Sequence, residues 1–141
     1  MNLLKLTRIK YLLTFALLTS IFSCTYTKSF PPKLNDKGDA AISEIKSANS
    51  FEDIDLQEKT VSGSQKATIL TVRLFNGKNL PVETDTVALK KLGKQIAEQI
   101  KPALADAKEV DSYVVLFCTR VIDGSTTHTK FTGYEYTSSE L

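Results

Sequence analysis

The feature that most restricts the fold is one apolar stripe at helical spacing in the second half of the chain. Leu89, Leu92, Ile96, Ile100, Ala103, Leu104 and Ala107 recur every three or four residues, so on a helix they share one face. Lys90, Lys91, Lys94, Gln95, Glu98 and Lys101 fall on the other side. A helix with a single apolar face has to be buried against another layer. The spacing predicts a helix from about Thr86 to Lys108, capped by Thr84 or Asp85. Pro102 removes a backbone donor inside it and predicts a kink or a break into two helices.

Strand patterns supply the other layer. Ala67 to Phe75 alternates, with Leu70, Val72 and Leu74 pointing one way and Ile69, Thr71, Arg73 and Phe75 the other. Phe51 to Val61 is a weaker strand, and Ser62-Gly63-Ser64-Gln65 between them is turn chemistry. Val114 to Ile122 is apolar on both faces, as a central strand is. Asp123-Gly124 predicts a type I′ hairpin into Thr126 to Tyr136, which is polar enough for a sheet edge. A short helix from Asp36 or Asp39 to Asn49 carries Ala41, Ile42, Ile45 and Ala48. The expected fold is α+β in two layers, with a mainly antiparallel four-stranded sheet under the long helix. Its expected element order is α-β-β-α-β-β.

The N-terminus reads as a targeting segment rather than part of this fold. Lys5, Arg8 and Lys10 precede an almost wholly apolar run from Tyr11 to Phe22. A run of about a dozen residues is too short to span a bilayer but suits a signal peptide. Removing residues 1–23 takes away three positive charges and no negative ones, so the formal charge falls from +2 to −1. That balance leaves no basic patch for nucleic acid. The organisation expected is a signal peptide over 1–23, a tether over 24–35 and one domain over 36–141. In the tether, Pro31-Pro32 keeps the backbone extended.

Ile21-Phe22-Ser23-Cys24 resembles the bacterial lipobox, with an aliphatic residue at −3 and a small one at −1 before the cysteine. The resemblance implies a bacterial lipoprotein, cut before Cys24 and held to a membrane by lipid on that thiol. Stable anchoring takes two or more acyl chains, which the lipoprotein modification supplies. Thr25 stands where an aspartate would resemble an inner-membrane retention signal. The expected place is therefore the outer membrane, facing the periplasm. Ordinary cleavage after Ser23, giving a soluble secreted protein, is the competing expectation.

Chemistry is sparse in the rest of the sequence. One histidine and one further cysteine do not supply the roughly four ligands of a zinc site. There is no phosphate-binding loop, dinucleotide fingerprint or EF-hand spacing, so no cofactor is expected. Glu52, Asp53, Asp55 and Glu58 alternate with Ile54 and Leu56, as the wet side of a strand does. Ser62-Gly63-Ser64 lacks the strand-to-helix context of a serine nucleophile. Cys118 lies in an apolar strand, where a thiol behaves as a small hydrophobe. A thiol enzyme would have to pair it with His128.

The reading that remains is a non-enzymatic envelope module binding a protein, peptide or glycan. Its candidate surface is the sheet face away from the long helix. Arg73 and Phe75 lie there if Leu70 faces the helix, and strand pairing is expected to bring Tyr134 and Tyr136 beside them. Tyrosine with arginine is the composition of interface hot spots. The competing expectation is that the short helix covers this face and the two tyrosines are ordinary core.

Overall fold

The structure is a computed structural model that describes residues 26–63 and 65–141. The expected signal peptide over 1–23 and the expected lipidation site Cys24 lie outside the described residues, as does Ser64 of the first turn. The protein is α+β: a five-stranded mixed sheet with two helices. In chain order these are β1 (Tyr26–Phe30), α1 (Gly38–Ala48), β2 (Asp53–Ser62) and β3 (Lys66–Phe75). Then come α2 (Thr86–Ile100), β4 (Ser112–Asp123) and β5 (Thr126–Thr137).

The strands lie side by side in chain order, β1-β2-β3-β4-β5. All neighbours are antiparallel except β3 and β4, which run parallel from Ile69↔Ser112 to Phe75↔Cys118. The sheet is mainly antiparallel, as expected, but departs from the expected four strands and order in two ways. A parallel pair needs a crossover of a dozen residues or more, and α2 provides it, returning the chain about 22 Å along its 15 residues. The fifth strand, β1, comes from the expected tether. Pro31-Pro32 begins just after Phe30, outside the ladder, where proline costs an edge strand nothing.

Asp85 caps α2, its carboxylate accepting from the Ala88 N–H at 2.9 Å. The helix stops at Ile100, and Pro102 sits in a separate 3₁₀ turn, Lys101–Ala103. Pro102 cannot donate within a helix, so the expected span to Lys108 divides here. Asn35 takes up the freed carbonyls: its Nδ2 donates to Pro102 O at 2.8 Å and Leu104 O at 3.2 Å. The β4–β5 loop also differs from expectation. Asp123 pairs with Thr126, so the two loop residues are Gly124 and Ser125. Only Gly124 has positive φ, +58°, the signature of a type II′ turn with glycine at its first central position.

The core lies between the helices and one face of the sheet. Leu70, Val72 and Leu74 pair with Tyr113, Val115 and Phe117, and all six are buried. Leu89, Ile96 and Ile100 of α2 and Ile45 of α1 join the same cluster. Gly93 allows a close approach between α2 and β5, since a Cβ there would stand 2.5 Å from the Tyr136 hydroxyl. That hydroxyl donates to the Lys90 carbonyl at 2.6 Å, clamping α2 to β5. Because Ile96 is buried against both layers, Ile96→Ala should destabilise the domain by about 2–5 kcal/mol. Val87→Ala, on the exposed side of the same helix, should stay within about 0.5 kcal/mol. Chemical denaturation of both variants checks this, and equal effects would contradict the packing described.

Candidate functional site

Both described helices pack on one face of the sheet, and among the described residues no helix lies on the other. The paired rows across it are Asp55, Arg73, Leu116 and Gly133, then Phe75, Cys118 and Phe131. Arg73 forms an ion pair with Asp55 directly across β2 and β3. That pair is over a third exposed on both sides, so it orients the guanidinium more than it stabilises the fold. The Arg120 guanidinium carbon lies 4.5 Å from the centre of the Phe75 ring. This cation–π contact helps shield Phe75, which is only 9% exposed. Phe131 at the end of the row is 66% exposed.

Beyond Phe75↔Cys118 the ladder loses its inner strands. Thr119–Asp123 and Thr126–Lys130 pair only with each other, and every residue of this arm is exposed. Two strands alone are marginally stable in water, so the arm depends on its base. There the Asn76 N–H donates to Cys118 O at 2.9 Å, and Asn76 Oδ1 accepts from the Arg120 N–H at 2.7 Å. Asn76 makes both bonds from a left-handed conformation, φ 50°, and its side-chain amide also bonds Glu52. Lys130 Nζ holds Glu83 Oε2 at 2.5 Å beside the arm. Val121 and Ile122 are 53% and 72% exposed near the tip. They are large apolar side chains that stand outside the core formed by the described residues.

The four residues expected on one face divide between two. Arg73 and Phe75 are on the open face, as expected. Tyr134 and Tyr136 pair with Val115 and Tyr113 and so point toward the helices. Tyr136 is buried, and burial pushes its phenol up to about 12, with Tyr134 adding to the shift. Tyr134 packs edge-on against Phe117, ring centres 6.4 Å apart. The tyrosines are core because of strand register. The short helix does not cover the open face, since Ile45 of α1 packs into the same core as α2. Both tyrosines line a groove of about 440 Å³ with Lys90, Lys91 and Lys94 of α2.

Cys118 and His128 are not brought together. Cys118 pairs with Phe131 on the open face. His128 pairs with Val121 on the other face, three positions further along the arm, or roughly 10 Å. Burial raises the Cys118 thiol, only partly offset by a Leu74 backbone hydrogen bond and by Arg73 and Arg120. The carboxylates scatter likewise: Asp55 holds Arg73, Glu52 bonds Asn76, and Glu58 faces the helix side. Burial raises the Glu58 carboxyl, and Glu109 and Asp106 raise it further. Among the described residues no group of three or more side chains could hold a metal ion.

Sequence reasoning missed the arm, though the polarity change after Cys118 is visible in the chain. It also missed a groove of about 670 Å³ lined by Lys46, Ser47, Ser50, Glu52, Asn76 and Lys78. That groove contains Ser50 and Asn76, the two non-glycine residues with positive φ among the described residues. A raised, buried thiol should resist alkylation at neutral pH, reacting roughly tenfold or more slowly in the native protein than in the unfolded chain. Fast native labelling followed by mass spectrometry would contradict that placement of Cys118. No protein-family model, no curated protein and no solved structure matches this chain.

Proposed function

We propose that this chain is an exported lipoprotein of the bacterial cell envelope, anchored through lipid on Cys24. Its folded part acts as a non-enzymatic binding or assembly module. The lipobox-like residues Ile21, Ser23 and Cys24 support the anchor, and Thr25 favours the outer membrane facing the periplasm. The observation that carries the binding role is the half-covered sheet with its exposed arm. Phe131 and Ile122 stand exposed on the face that also bears Arg73, Phe75 and Arg120. Exposed aromatic and aliphatic side chains beside arginine suit a protein or peptide partner better than a glycan, because they offer apolar area with a polar rim. This assigns binding to Arg73 and Phe131, with Phe75 buried beneath Arg120 as a support, and moves Tyr134 and Tyr136 to a supporting role in the core.

The experiment combines N-terminal mass spectrometry with capture from envelope membranes. The wild-type protein should carry lipid on Cys24, and Cys24→Ala should lose it together with membrane association. The double variant Ile122→Ser with Phe131→Ser should lose its captured partners while keeping the wild-type melting temperature, because both side chains are exposed. An unmodified N-terminus would favour a soluble secreted protein. Undiminished capture by the double variant would remove the binding role from this face.

A further inference from the structure

The short strand β1 joins the anchor to the fold. Tyr26 is two residues beyond Cys24, a covalent span of at most about 7 Å. It pairs with Ser62, which pairs with Lys66, so the chain enters at the sheet end carrying the β2–β3 turn. From that end β3 runs nine residue steps to Phe75, and β4 continues five more from Cys118 to Asp123. At about 3.3 Å per step, the arm tip lies roughly 45 Å from the level of Tyr26.

We infer that β1 presses the turn end of the sheet onto the headgroup layer of the membrane holding the lipid, and so aims the Thr119–Lys130 arm away from the bilayer. This rests on the lipidation of Cys24 proposed above. The residues at that end fit a lipid surface. Tyr26 is 64% exposed, and tyrosine favours the membrane interface, where its ring meets apolar groups and its hydroxyl meets water. Lys28 and Lys66 are exposed nearby and carry the charge that anionic headgroups attract.

The pairing of β1 is what sets the orientation. The next backbone tie after the strand is Lys33, whose carbonyl accepts from the Ala105 N–H at 3.0 Å. With β1 unpaired, Cys24 to Lys33 would be a leash of about 30 Å, long enough for the domain to reorient. With β1 paired, the leash is two residues. The strand's side chains are all exposed, so its ladder to β2 holds it rather than packing.

The chain has no tryptophan, so Tyr26→Trp and Ile122→Trp each give a single reporter. Each lipidated full-length protein is placed in phosphatidylethanolamine–phosphatidylglycerol vesicles, with nitroxide-headgroup lipid or aqueous acrylamide as quencher. The lipid quencher should reduce Tyr26→Trp emission at least twofold and leave Ile122→Trp unchanged. Acrylamide should quench Ile122→Trp more strongly. Adding Lys28→Pro and Ser29→Pro to the Ile122→Trp protein removes a ladder donor whichever way the N–H groups alternate. Lipid quenching of Ile122→Trp should then appear. A lipidated protein with both reporters quenched alike overturns the orientation alone, as does a proline variant that behaves like its parent. An N-terminal mass without lipid overturns the anchor and the orientation together.

Discussion

The parallel pairing of β3 with β4 is the constraint on which the rest of this molecule depends. It sets Leu70 beside Tyr113, Val72 beside Val115 and Leu74 beside Phe117 on one face. Each such side chain contributes about 1.5–3 kcal/mol when fully buried. Together they form the floor on which Leu89, Ile96 and Ile100 of α2 rest. The same helix makes the pairing possible by returning the chain to the start of the next strand. Strands β2 and β5 then add outward by antiparallel pairing, and β1 completes the β2 side.

One-sidedness follows from the same arrangement. Both helices join one core, on the face of Leu70 and Tyr113, so among the described residues no helix lies over Arg73, Leu116 or Phe131, although Phe75 and Cys118 on that face are buried. The protein shields this face locally, placing Arg120 over Phe75 and pairing Arg73 with Asp55. These contacts leave Phe131 and the arm uncovered. The arm exists because β4 and β5 are each 12 residues long while β3 has 10 and starts three residues before its first pair with β4.

Much of this was legible in the sequence, and the parts that were not share a physical cause. The stripe from Leu89 to Ile100 located α2 because a 3.6-residue period has one explanation at that length. Pro102 marked the end of the helix through its missing donor. Alternation divided β3 correctly into a helix face and an Arg73–Phe75 face. Period cannot give the direction and offset of β4 against β3, since the intervening helix separates them by 36 residues. Without that offset the faces of Tyr113 and Val115 are undetermined, and therefore those of Tyr134 and Tyr136, which pair with them. The strand β1 was hidden differently. Pro31-Pro32 reads as extended linker, and five residues with every side chain exposed carry almost no burial pattern.

Hydrogen–deuterium exchange on the full chain, read residue by residue, tests the central pairing most directly. Protection follows the free energy of opening, so the strands that hold the core together exchange last. The account predicts the slowest amides in 70–74 of β3 and 113–117 of β4, with α2 close behind. The arm, 119–130, and β1 should exchange orders of magnitude faster. Protection across the arm equal to that of β4's first half, or slowest exchange in β5 with β3 and β4 fast, would contradict the parallel pair as the structural centre.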